Sequence, residues 1–261
     1  MLQLAGNLKG YKLSARDGTI GDVKEFYFDD ESWAVRYLIA DTGDWLTGRK
    51  VLISPCALDP ARKEDKVIPV DLSRKQIEHS PSLDTDKPVS RQYELEYYPY
   101  YGWGGYWGGP YMWGASGYPE RANNGWTASV HHTASGDPHL RSTHDVSGYT
   151  IRAEDGEIGH VADFVVDDEV WAIRYLIVDT SNWWAGKKVL LGTQWIERIS
   201  REDSKVFINL TRDAIKQAPE YTEQALITRD YEEELHRHYN RERYWITEPG
   251  RERRELVEHY K

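Results

Sequence analysis

Cysteine is all but missing: Cys56 stands alone in 261 residues, so no internal disulfide can staple the fold. Positive charge is in deficit. Lys and Arg number 33 against 43 Asp and Glu, and the formal net charge of -10 repels phosphate backbones unless a basic face is set apart, which argues against a nucleic-acid partner. No apolar run approaches the roughly 20 residues that a membrane-crossing helix needs. The opening stretch "MLQLAGNLKGYKLSARDG" lacks the apolar core and cleavage pattern of a signal peptide. These absences lead to the expectation of a cytoplasmic protein with no membrane span. There is no phosphate-cradling glycine loop and no strand-to-helix nucleophile turn. Cys56 has no histidine beside it to make it a nucleophile. The expectation is therefore no enzyme and no cofactor.

What the sequence has in abundance is itself. "WAVRYLIADTGDW", from Trp33 to Trp45, returns as "WAIRYLIVDTSNW", from Trp171 to Trp183. A shift of 138 residues aligns residues 10–107 with 148–245 without a gap, and roughly 38 of 98 pairs are identical. The pairs include Gly10 with Gly148, Gly21 with Gly159, Arg36 with Arg174, Pro81 with Pro219, Glu94 with Glu232 and Trp107 with Trp245. Composition alone does not produce that over such a length; this is a tandem duplication. The length suits two modest domains.

Each copy reads as about five or six short strands. "YKLSARDGTIGDV" and "YTIRAEDGEIGHV" carry Asp-Gly between extended runs, which suggests a tight hairpin with positive φ at both central positions. In the Trp33 run both alternating faces are largely apolar, as expected of a central strand. Pro69 favours a sheet edge, because proline cannot donate to the ladder. Ser73 and Thr211 are expected to cap short helices that stop at Pro81 and Pro219. Many short strands with glycine turns suggest a small barrel or sandwich.

The stretch "DGTIGDVKEFYFDDESWAVRYLIADTGDWLTGRKVLISP" and its second copy resemble the PRC-barrel domain, over about residues 8–81 and 146–219. The family includes the cytoplasmic part of the photosynthetic reaction centre H subunit and a ribosome-maturation factor. A subclass of tandem bacterial members ends each copy in a segment like "SRQYELEYYPYYGWGGYW". The resemblance implies two small β-barrels used for docking or assembly, with no shared catalytic motif. The expected fold class is mainly β with short helices. Its parts are a first barrel at 8–81, a helical aromatic extension at 82–107, a Gly/Tyr/Trp/His-rich linker at 108–147, a second barrel at 148–219 and a charged helical extension at 220–261.

Within the extensions, Ser90 and Thr228 can cap helices, placing Glu94 and Glu232 near the positive end of the dipole. Tyr93, Tyr97 and Tyr101 fall on one helix face, as do Tyr231, Leu235 and Tyr239, and packing against a barrel is the expected role. Pro249 and Gly250 should break the last helical stretch. From the end of the extension into the linker, Trp103, Trp107, Trp113 and Trp126 are too costly to leave in water, so the chain's own barrels, failing those a neighbouring subunit, and third a sugar ring or base stacked on them, should cover them. His131, His132, His139 and His144 lie near Asp137 and Asp145. They are weak metal-binding candidates: their spacing matches no closed zinc pattern, and a hydrophilic linker that happens to be histidine-rich is the preferred reading. The acidic turns at Asp29–Glu31 and Asp167–Glu169 lack the ligand number of a calcium loop and read as solvated hairpin turns. Arg36 and Arg174 interrupt apolar strands and need partners, with Asp41 and Asp179 as structural candidates and a binding role as the sharper alternative.

The function expected from these readings is a non-enzymatic interaction or assembly module, a scaffold or adaptor that self-associates or holds a protein partner. The alternatives are a ribosome- or RNA-associated factor, or an accessory protein linked to stress or photosynthesis.

Overall fold

A computed structural model describes residues 1–47, 49–84, 88–120, 139–181, 186–222 and 226–247. The first copy contributes β1 (Leu2–Leu4), α1 (Ala5–Leu8), β2 (Lys12–Ala15), β3 (Gly18–Asp29), β4 (Val35–Asp41), β5 (Arg49–Ile53), β6 (Val67–Pro69), α2 (Arg74–Glu78), β7 (Leu83–Asp84) and α3 (Arg91–Tyr100). The second contributes β8 (Leu140–Ser142), α4 (Thr143–Val146), β9 (Thr150–Ala153), β10 (Gly156–Asp167), β11 (Ala172–Asp179), β12 (Lys188–Gly192), β13 (Ile196–Ser200), β14 (Lys205–Ile208), α5 (Arg212–Lys216), α6 (Arg229–His238) and α7 (Tyr244–Thr247). The fold is mainly β with short helices, as expected. Among the described residues no helix is long and apolar enough to cross a membrane.

One sheet runs β6-β2-β3-β4-β5-β7 with β8 also on β3, and the other runs β12-β11-β10-β9-β14-β13 with β1 on β10. Among the described residues neither path closes on itself, so two sheets stand where closed barrels were expected. Central β4 is buried on both faces from Val35 to Ala40, as its two apolar faces require. Pro69 ends β6 at the sheet edge, while its counterpart strand β14 lies between β9 and β13. The first copy has Pro60 where the second forms β13, and only the isolated bridges Leu58–Val70 and Arg62–Val67 replace that strand.

Contacts divide the chain into a first unit, Met1–Asp145 with Val165–Ile173, and a second, Val146–Phe164 with Arg174–Lys261. The tip where β10 turns into β11 belongs to the first unit because β1 pairs with it, Leu2 opposite Asp167 and Leu4 opposite Val165. Also inside the first unit, β8 pairs with β3, Leu140 opposite Asp29 and Ser142 opposite Tyr27. Each pairing maps onto the other under the 138-residue shift. The same holds for two backbone bonds, Val35 N–H to Trp171 carbonyl at 2.7 Å and Ile173 N–H to Trp33 carbonyl at 2.8 Å. The bridge between Ala34 and Ala172 maps onto itself.

Backbone strain is duplicated too. Trp33 and Trp171 take φ values of 58° and 54°, a left-handed conformation that is rare for a bulky side chain. The Trp33 ring stacks on Phe28 at 5.3 Å, and the Trp171 ring lies 6.5 Å from Phe26. Burial of these rings, with the reciprocal backbone bonds, offsets a backbone cost of about 1–3 kcal/mol each.

The Asp-Gly hairpins differ from expectation. Gly18 and Gly156 have positive φ but Asp17 and Asp155 do not. The aspartates turn instead to the helices, accepting the Arg74 N–H at 2.6 Å and the Arg212 N–H at 2.8 Å. Ser73 and Thr211 cap α2 and α5 as predicted, with a full capping box between Ser73 and Gln76.

Candidate functional site

The most elaborate polar constellation in each copy is a carboxylate buried beneath the helix of the extension. Ser90 accepts from the Tyr93 N–H and starts α3, which places Glu94 in the first turn, where the helix dipole favours a negative charge. Glu94 is fully buried. It accepts the Tyr37 hydroxyl of β4 at 2.7 Å and the Tyr106 hydroxyl at 2.9 Å on one oxygen, and Arg91 at 2.7 Å on the other. The second copy repeats this atom for atom. Glu232 accepts the hydroxyls of Tyr175 at 2.9 Å and Tyr244 at 2.8 Å, and pairs with Arg229 at 2.9 Å.

Guanidinium planes roof both clusters. Arg36 lies 3.7 Å above the Tyr106 ring and Arg174 lies 4.2 Å above that of Tyr244, while Arg91 and Arg229 cover Trp107 and Trp245 at 4.6 and 4.1 Å. Burial, reinforced by the Glu94 carboxylate, holds the Tyr37 and Tyr106 phenols well above their ordinary value. The same causes raise Tyr175 beside Glu232. These phenols stay protonated and donate to the carboxylates. Chemically, each cluster is a set of charge-assisted bonds that clamps a helix to a sheet.

Arg36 is buried, and its partner is not Asp41. Residues 36 and 41 are an odd number apart in one strand, so their side chains leave opposite faces. Arg36 reaches across the hairpin to Asp29 at 3.1 Å, to the Ser32 hydroxyl at 2.9 Å and to the Met112 carbonyl at 2.6 Å. Burial opposes ionisation of Asp29, but Arg36 and the Ser32 and Glu31 N–H groups outweigh it and hold the carboxyl below its ordinary value. Asp41 and Asp179 instead accept the N–H groups of Gly43 and Ser181. The acidic turn is more than a solvated hairpin, because Asp30 pairs with Arg141 at 2.8 Å and with His139 at 3.1 Å.

Three of the four tryptophans proposed for interaction are described, and they sit within the first unit. Trp103 stacks on Tyr101 at 4.6 Å and is buried, Trp113 is buried with its indole N–H on the Val170 carbonyl at 2.9 Å, and Trp107 is half-buried against Tyr98 at 5.5 Å. Trp126, His131 and His132 lie outside the described residues, as do Pro249 and Gly250. His139 belongs to the turn contacts above, and His144 lies in α4. Among the described residues no group of three or more metal-ligating side chains comes together. Tyr93 and Tyr97 are buried beneath α3, with the Tyr97 hydroxyl on the Leu52 carbonyl at 2.9 Å, so that stripe packs as expected.

Cys56 is buried, and desolvation pushes its thiol up to about 11. We therefore expect negligible reaction with a water-soluble thiol reagent at pH 8 in the native protein and full reaction after denaturation. Rapid stoichiometric labelling of the native chain would contradict this burial.

Sequence reasoning missed the clusters. It placed Glu94 and Glu232 near a dipole and went no further. The signal was present in the repeat itself, where Tyr37, Arg91, Glu94 and Tyr106 all recur as identities. Polar residues that survive duplication together, in a background of strand hydrophobics, mark a shared contact.

With this geometry in place, comparison with known families gives one match: residues 138–215 match the model described as the PRC-barrel domain. No curated protein matches the chain.

Proposed function

We propose that the protein is a non-enzymatic interaction and assembly module built from two PRC-barrel-type domains, acting inside the cell and self-associating as a scaffold or adaptor. The observation that carries this reading is the twin cluster. In both copies the buried carboxylate, two phenols and an arginine are engaged with one another, which suits a rigid platform and leaves the outer faces to recognise a partner. The family match at residues 138–215 supports it, since that module often serves in interactions. The internal repeat of the sequence at a shift of 138 residues extends the reading to the first copy. The net charge of -10 disfavours a nucleic-acid role.

Light scattering coupled to size-exclusion chromatography tests it on the full chain across a concentration series. The expected mass is that of two or more chains, rising toward a plateau with concentration. A mass of one chain at every concentration would remove self-association from the proposal, and a turnover assay showing substrate consumption would remove the non-enzymatic part.

A further inference from the structure

The two clusters differ at one position that bears a proton. Where the first has Tyr98, the second has His236, buried and packed against the rings of Trp195 at 5.3 Å, Trp245 at 5.0 Å and Tyr244 at 6.3 Å. Its Nδ1 is 2.8 Å from the Glu242 carbonyl, which can only accept, so Nδ1 carries a hydrogen. In the neutral ring Nε2 is then a bare acceptor, and it faces the Tyr175 hydroxyl at 3.1 Å. That hydroxyl has one hydrogen, and Glu232 takes it at 2.9 Å. One proton thus serves two acceptors.

A second proton on Nε2 would complete the chain of donors, but it would place a cation on a side chain that is buried from solvent. The groups that face the ring from each packed element are known. Tyr175 comes from β11, which also holds Arg174 over Tyr244; Glu232 and Arg229 come from α6; Tyr244 comes from α7. From the connecting stretch, Arg241 gives its N–H to the His236 carbonyl at 3.0 Å, and Arg243 lies 3.9 Å from Glu233. Among the described residues Glu232 is the anion joined to the ring through the Tyr175 hydroxyl, and Arg229 already pairs with it.

We propose that His236 makes the docking of α6 and α7 in the second unit acid-sensitive: the neutral imidazole is the form the packed cluster accepts, and protonation loosens these helices from β11. The first unit, with Tyr98 at the matching place, lacks the device. Burial lowers the imidazole below its ordinary value, and Arg243 and Arg229 act in the same direction against the Glu242 and Arg241 backbone. The unfolded chain, with histidine near 6.5, then binds more protons than the folded one, so stability is complete at neutral pH and falls as pH drops from about 6.5 through the folded value.

The experiment uses the full chain and His236→Tyr, which gives the second unit the residue of the first. Thermal midpoints are compared from pH 7.5 to 5.0, and the imidazole of the unmodified protein is titrated by nitrogen-15 NMR. The expected result is a fall in the parent's midpoint that exceeds the variant's by on the order of 5 °C, with an imidazole midpoint below 6.5 and shifts in the amides of α6 accompanying it. Parallel pH profiles for parent and variant, or an imidazole that titrates at or above 6.5, would overturn the proposal. If the variant does not fold, the titration alone decides between these outcomes.

Discussion

Glu94→Ala is expected to cost about 3–5 kcal/mol, the range for breaking a buried charge pair from one side. The substitution leaves Arg91 without the carboxylate at 2.7 Å and removes the acceptor of both Tyr37 and Tyr106. The buried hydroxyls of Tyr37 and Tyr106 cannot turn to water without undocking α3. Glu94→Gln keeps an acceptor oxygen but loses the charge, and should cost less, about 1.5–3 kcal/mol. Denaturant titration measures both, and the reactivity of buried Cys56 reports the first unit specifically. Equal stability of Glu94→Ala and the parent would mean that the cluster contributes nothing to docking. Glu232→Ala should do the same in the second unit, because the cluster there is built from the same four residues.

Gly159→Ala is expected to cost about 3 kcal/mol or more, from two independent penalties. Its φ is +126°, which side-chain-bearing residues rarely adopt, and a Cβ there would lie 2.4 Å from the Asp179 carbonyl oxygen. Backbone of the neighbouring strand is what blocks it, so a rotamer change gives no relief. Gly21 presents the same obstacle in the first copy, 2.0 Å from the Asp41 oxygen. Gly43→Ala separates the two penalties, since Gly43 has φ +56° but nothing within 4 Å of a Cβ. It should lose only the backbone share, on the order of 1 kcal/mol. If Gly43→Ala and Gly159→Ala have the same unfolding midpoint, the close approach of β10 and β11 is not what selects glycine.

How much could be read in advance depends on the range of the interactions involved. Helix starts at Ser73, Ser90, Thr211 and Thr228 were legible because a cap is decided within four residues. The central place of β4 and the edge place of Pro69 followed from side-chain alternation and from a missing N–H. The role of Asp17 and Asp155 was not legible, because the N–H groups they accept belong to Arg74 and Arg212, 57 residues downstream. Arg36 was given the wrong carboxylate for a local reason: Asp41 is near in sequence but leaves the other face of the strand. Covering aromatics also moved in sequence between copies. Trp103 stacks on Tyr101 in the first, whereas in the second Trp195 packs on the equivalent Tyr239 at 4.7 Å, although position 241 there is arginine. A shift of the sequence against itself detects identities; it does not detect a ring supplied from elsewhere to fill the same space.

The pairing of β8 with β3 and of β1 with β10 bears on the order in which the chain can mature. During translation β3 emerges long before its partner at Leu140–Ser142, and Leu2–Leu4 must wait for Val165–Asp167. At elongation rates of about 5–20 residues per second, the early half spends on the order of ten seconds with those hydrogen-bonding positions open. Its nascent form therefore lacks both pairings and stays open to mispairing until residues 140–142 and 165–167 have been made.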